Sequence, residues 1–401
     1  MTNVDRRRCT ALFYRISCII IAITVGATTS ACSGCRKETT ITAPPVPIAL
    51  ARAAYVTNNG SDTISILDRD SDLVVTRSVD IDPTAHEAPH HLAVDPKAKT
   101  LFVGLAFPPP PGDPKSPHSS HGNGSTNGKL LELDLTTLTP ITSAEVDENP
   151  GDVVLTHDGS KVLVTHFDMK RAMQAAAAGR PPSELFATLQ VWDAKTMKKI
   201  ASRAICVAPH GVVTTNDDKK AIVACYGSDE IAIVDLTSAS LPTSRFVLGA
   251  SEGVLGAPKY GPYSAALSPS EKTLLVDDLE SQDVRLLDMQ TEKFGDPVSL
   301  GGRAMISAFI DETSAIVPLQ SPDGLAKVDV ATGDISARVA FKKDQCEAPH
   351  AIKIAPDGRA FVVCEGDHVR AGAVVEIDPK TLSIKKRWVV GIYPDGIAFG
   401  G

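Results

Sequence analysis

Basic side chains are nowhere gathered into a stripe in this 401-residue sequence: 40 Lys and Arg are scattered among 48 Asp and Glu, and the formal charge is −8. Without a concentrated positive surface there is no electrostatic footprint for nucleic acid, which excludes DNA and RNA as partners. No glycine loop of the phosphate-cradling kind is present, so nothing points to phosphoryl transfer. No apolar run is long enough to make a comfortable membrane-spanning helix. The chain is nevertheless 43% hydrophobic, enough to bury a large core in one repeat domain or two ordinary ones.

The longest apolar stretch, Ile16 to Ala27, follows Arg6, Arg7, Arg8 and Arg15, the order of a positive n-region and a short h-region. Residues 1–31 therefore read as an export signal, outside the fold. The following Thr29-Ser30-Ala31-Cys32 resembles the lipobox of bacterial lipoproteins, which implies lipidation of Cys32 and a mature chain tethered to a membrane. Residues 32–53 are polar and Pro-containing (Ala43-Pro44-Pro45-Val46-Pro47), as expected of a semi-extended linker. The implied location is extracytoplasmic, in the periplasm or at the outer membrane of a Gram-negative bacterium.

From residue 54 to 401 one unit recurs. Ala54-Tyr55-Val56-Thr57-Asn58 and Thr63-Ile64-Ser65-Ile66-Leu67-Asp68 alternate apolar and polar residues across a turn, a hairpin pattern. The run Tyr55-Val56-Thr57-Asn58 resembles the repeat of the YVTN family of extracytoplasmic β-propellers, which implies blades of about 40–45 residues. Two markers recur seven times. An Asp closes one strand of each unit: Asp68, Asp134, Asp193, Asp235, Asp288, Asp329 and Asp378. Each carboxylate is expected to accept backbone hydrogen bonds from its own turn. The second marker, usually Pro-X, opens the first strand: Pro89-His90, Pro150-Gly151, Pro209-His210, Pro262-Tyr263, Arg303-Ala304, Pro349-His350 and Pro394-Asp395. No strand follows Pro394 to Phe399, so that segment must pair with the strand around Tyr55 and close the ring. The fold expected is all-β, a seven-bladed β-propeller of four-stranded blades.

With strands A to D running outward, the B–C insertions Phe107 to Asn127 and Met169 to Leu185, the latter with a short helix at Met169 to Ala178, share one face with the D–A loop Leu248 to Gly261. Loops collected on one side of a rigid scaffold suggest the working surface. Cys206 and Cys225, and again Cys346 and Cys364, stand just before strand A and at the end of strand B. Within-blade disulfides are expected in an exported chain; metal thiolates or free thiols are the alternative, though no Cys-x-x-Cys accompanies them.

Nine histidines (His86, His90, His91, His118, His121, His166, His210, His350 and His368) map to the loop-bearing face, and His157 to a turn opposite. His90, His210 and His350 occupy one equivalent position beside the central channel, with Tyr263 and Asp395 at the same position in two other blades, at the channel mouth. Imidazole with carboxylate suits zinc, copper, iron or nickel; the bland alternative is a polar, solvated rim made of duplicated blades. The leading expectation is a lipid-anchored binding or scaffold protein, not an enzyme, that takes a protein or surface ligand on its loop-bearing face. The alternative is a periplasmic oxidoreductase with a transition metal or haem on His90, His210 and His350. A lactonase using Asp395 or His210 as general base rests on the fold alone.

Overall fold

The computed structural model describes residues 43–110, 121–249 and 254–401; Cys32 and the export signal lie outside them, as does His118. Seven antiparallel sheets follow one another around an axis, each with its strands in chain order outward. Blades two to four run from Pro89 to Glu148, Pro150 to Cys206 and Pro209 to Val247, and blades five to seven from Pro262 to Ser299, Arg303 to Ala340 and Pro349 to Ile392. Blade one is shared. Its innermost strand is the C-terminal Pro394–Phe399, which pairs with Ala53–Asn58 in the register Tyr55↔Ala398 and Val56↔Ile397. The expected ring closure is thus observed.

Burial explains the strand chemistry. The middle strands are covered on both faces by neighbouring blades, so they read as continuous apolar runs such as Ala360–Cys364, buried throughout. The outer strands have one wet face and alternate, as in Asp334–Ala340. The core is accordingly a set of layers between blades. Tyr55, Ile64 and Ile66 of blade one meet Leu101, Val103, Leu131 and Leu133 of blade two. Val46 and Ile48, read as linker from sequence, are buried in this same layer, and Val46 N–H donates to the carbonyl of Thr136. The end of the linker is therefore docked on the disc.

All seven marker aspartates act as expected. Asp134 Oδ1 accepts from the backbone N–H groups of Thr136 and Thr137, and Asp193, Asp288, Asp329 and Asp378 each make the same paired contacts. Asp68 and Asp235 each take one such bond. The helix in the second B–C loop spans Met169–Ala177 and is capped by Asp168, which accepts from Arg171 N–H.

Cys206 bonds to Cys225 and Cys346 to Cys364. Each bridge ties the approach to an inner strand to the end of the strand next to it; Cys206 is also the last residue of the outer strand of blade three, so the expected within-blade bond there joins two consecutive blades. Non-reducing peptide mapping should recover these two pairs, and replacing both cysteines of either pair by serine should lower stability by about 2–4 kcal/mol. Recovery of Cys206 or Cys225 linked to Cys346 or Cys364 would contradict the observed register.

Candidate metal centre

Six of the seven inner strands begin with a β-bulge, and the bulge aims side chains at the axis. In blade two the ladder runs Pro89↔Leu105, His90↔Gly104 and then Leu92↔Val103, which leaves His91 without a cross-strand partner. His91 has φ 52°, in the left-handed region. Adjacent strand residues normally point to opposite faces; the extra residue breaks that alternation, and both imidazoles turn inward. Equivalent register shifts follow Pro150, Pro209, Pro262, Pro349 and Pro394. At Gly211 an added Cβ would lie 2.8 Å from Ser264 Cα, so the inner strands of blades four and five depend on glycine there.

The ligand nitrogens of His90, His91 and His210 all lie within 4.8 Å of one another, and all three residues are buried. Each ring is held from behind. His90 Nδ1–H donates to Asp395 Oδ2 at 2.7 Å, His91 Nδ1–H to Asp152 Oδ1 at 2.8 Å and His210 Nδ1–H to the Tyr263 carbonyl at 3.1 Å. These acceptors fix the tautomer, because a carboxylate or carbonyl demands the proton on Nδ1. Nε2 of each ring therefore presents its lone pair, and all three Nε2 atoms are buried without a hydrogen-bond partner. A buried polar atom left unpaired costs free energy; three on neighbouring rings whose ligand nitrogens lie this close together make a candidate place for a cation.

Electrostatics agree with that arrangement. Burial, reinforced by the nearby imidazoles of His121, His91, His90 and His350, pushes the His210 pKa well below its usual value and keeps the ring neutral. Burial works against ionisation of Asp152 and Asp395, yet their histidine partners outweigh it: Asp152 is held at about 2 and Asp395 below the usual carboxylate range. Both carboxylates are ionised behind neutralisable rings.

The sequence placed His90, His210 and His350 together. The structure brings the first two together and makes His91 the third. The His350 ring is 6.1 Å from that of His91, and its Nδ1–H donates to the buried Glu365, which also accepts from His368 Nε2. Tyr263 and Asp395 do not form a solvated mouth. Tyr263 stacks on His210 with ring centroids 3.8 Å apart, and Asp395 is fully buried, its second oxygen accepting from Thr57 Oγ1. With both oxygens engaged, Asp395 is a poor general base. His121 comes from the first B–C loop and sits 4.6 Å from His90, ring to ring. Its strand-side neighbours are pinned to blade three, where Gly124 N–H donates to Asn149 Oδ1. The remaining histidines serve elsewhere: His86 faces Asp62, His157 faces Asp218, and His166 donates to the Thr188 carbonyl, its pKa lowered by burial to about 4.

Two strings share the letters of hydrolase motifs. His86-Glu87-Ala88-Pro89-His90 spells a zinc-protease pair, but that chemistry needs both histidines on one helical face. Here Ala88 has φ 49° and Pro89 opens a strand, while Glu87 accepts from the backbone of Ile81 and Asp82. Gly249-Ala250-Ser251-Glu252-Gly253 spells a nucleophile elbow; residues 250–253 lie outside the described residues, and the segment follows an outer strand ending at Val247, not the inner strand of a strand–turn–helix.

No protein-family model and no curated protein matches the chain. Solved structures do. A protein from Lactobacillus plantarum is similar at TM-score 0.63 and 13% identity, over 87% of this chain and 99% of that one. The periplasmic gluconolactonase PpgL of Pseudomonas aeruginosa is similar at TM-score 0.59 and 16% identity, over 86% and 98%. The dihydro-heme d1 dehydrogenase NirN, solved in complex with DHE, is similar at TM-score 0.53 and 16% identity, over 90% and 77%. At these identities the likeness is one of fold.

A further carboxylate is buried on the second strand of blade five. Asp277 is fully buried and accepts from Ser307 N–H and Oγ; burial raises its pKa to about 8. Its folded pKa exceeds the unfolded one, so the folded state binds the extra proton and stability is lost as pH rises from about 4 through 8. Asp277→Asn should flatten that decline and stabilise the protein by about 2–4 kcal/mol at pH 8, read by chemical denaturation at pH 5 and pH 8. A pH dependence unchanged by the substitution would assign the decline to other groups.

Proposed function

We propose that this protein is a metal-binding propeller that holds a zinc or copper ion on Nε2 of His90, His91 and His210. One observation carries the reading: three buried imidazoles converge with bare Nε2 atoms while two carboxylates and a carbonyl hold their Nδ1–H groups. Carboxylate or carbonyl partners behind histidine ligands orient the ring and raise its basicity, and imidazole suits zinc and copper. Nitrogens at about 2.0–2.1 Å from a tetrahedral ion sit roughly 3.3–3.4 Å apart, so the trio has only to draw in by small side-chain rotations. The site suits an ion better than a porphyrin, because Tyr263 stacks on His210 and Phe167 lies 5.1 Å from the same ring, leaving no flat slot.

The two disulfides and the export signal support an oxidising compartment, and the lipobox-like Thr29 to Cys32 supports a tether there. Cys32→Ala should move the protein from the membrane to the soluble fraction; a wild type already soluble would remove the tether. For the metal, untagged protein expressed with export intact should carry close to one zinc or copper per chain by elemental analysis, and should rebind it after chelation with sub-micromolar affinity. Protein that neither retains nor rebinds either ion refutes the reading.

A further inference from the structure

On its loop-bearing side the histidine trio is capped by aromatic rings. Phe167 stacks on His121 at 4.8 Å, meets His210 at 5.1 Å and Tyr226 at 5.3 Å, and together with Val207 and Leu185 forms a small apolar cluster. On the other side lies a cavity of about 810 Å³. Its floor includes His91, Asp152 and Asp395, and its far end is lined by the A–B turns, among them Asp95, Asp158 and Glu271. Among the described residues, then, the trio is covered towards the loops, and its member His91 lines a funnel that opens on the short-turn face. A volume of this size is that of a small-molecule pocket, roughly 300–1,000 Å³.

The funnel is electrically polarised along its depth. At the floor Asp152 and Asp395 are already bonded to His91 and His90. Lys353 projects from the inner strand of blade seven, three residues beyond His350 and so about 10 Å down the wall, and lines the same cavity. Its charge is felt by both Asp152 and Asp277, which places it towards the floor. Burial keeps Asp277 protonated near neutral pH, so it does not neutralise the ammonium. At the rim Asp95, Asp158 and Glu271 outnumber Lys97 among the lining residues, with Lys161 close enough to Asp158 to act on it. With a divalent ion bound the inner half is net positive, because the ion and Lys353 together outweigh the ionised Asp152 and Asp395, and the rim is negative.

We infer that the axial funnel binds a small carboxylate whose remote end is basic, the carboxylate reaching inward to Lys353 and the metal and the basic end lying against the rim carboxylates. This rests on the metal reading above. A simple anion would satisfy the floor but be repelled at the rim; a simple amine would do the reverse. The loop-bearing face, expected from sequence to do the work, is then the cap of the site and not its entrance.

The test uses full-length protein loaded with Co²⁺, whose visible spectrum reports ligands entering the coordination sphere, with metal content measured first. 8-Aminooctanoate, octanoate and octylamine are titrated in turn, the eight-carbon spacing being chosen to span from the floor to the rim. The expected result is a spectral change with 8-aminooctanoate at least 10-fold tighter than with octanoate, and none with octylamine. Lys353→Met should weaken 8-aminooctanoate at least 10-fold with metal content unchanged, whereas the Asp158→Asn, Glu271→Gln double variant should erase the preference over octanoate. Loaded protein that responds to none of the three, or responds equally after Lys353→Met, overturns the inference while the metal reading stands. Absence of bound metal from the start overturns both.

Discussion

His210→Ala is expected to weaken zinc or copper binding by more than about 100-fold while leaving the β-rich circular dichroism intact. Partners that only orient a ligand already cost about 10–100-fold when removed, and His210 supplies a ligand atom itself. Burial and four neighbouring imidazoles also hold its pKa well below the ordinary value, so an ion would displace no proton from it near neutral pH. Asp395→Asn should cost about 10–100-fold, since it frees the His90 tautomer without removing a ligand. His350→Ala should cost less than either, because that ring is anchored on Glu365 and stands 6.1 Å from His91. Competition titration against a chelator of known affinity measures all three. A loss with His350→Ala as large as with His210→Ala would move the ion to a different set of histidines. Affinity should also fall as pH drops, because the ligands bind as neutral imidazoles.

A chain ending at Tyr393 is expected not to fold as a cooperative unit. The missing segment is the innermost strand of blade one: Ile397 is buried against Val56 and Ala54 of that blade and Phe361 and Val363 of blade seven, and Arg69 loses its bond to the Gly401 carbonyl. Removing buried side chains of this size costs about 2–5 kcal/mol each, and the unpaired edge of Ala53–Asn58 adds to it, which together reaches the about 5–15 kcal/mol that holds a typical domain folded. Denaturant titration should show a broad, shallow transition or none. Supplying residues 394–401 as a separate peptide should restore part of the amplitude, which a merely misfolded chain would not allow. A sharp transition at the wild-type midpoint would mean that the ring does not need its closing strand.

The fold was legible because every blade repeats a turn-forming Asp and six of the seven a strand-opening Pro, blade six opening on Arg303 instead, and insertions fall between these markers without disturbing either. The disulfides followed from the same register. The site was half legible. His90 and His210 are marked by the Pro-His repeat. His91 was passed over because alternation along a strand places neighbours on opposite faces; only a bulge with a left-handed residue turns both inward, and a non-glycine residue gives no warning of that conformation. Asp152 stands two residues after Pro150, as His91 does after Pro89, and reading that second column of the repeat would have shown both. His121 lies in a 21-residue insertion, Phe107 to Asn127, where no periodicity fixes where a side chain goes. The funnel was invisible for a different reason: its lining is drawn from all seven blades, so no local stretch of sequence announces it.

Asp395 is contributed by the strand that closes the ring, so the centre has an order of manufacture. Its three histidines are all translated well before residue 395, yet His90 acquires its fixed tautomer only when the final strand zips against Thr57 and Val56. Under the metal reading, only the closed disc offers the imidazoles in one set orientation, and a tightly held ion would report that the ring has closed.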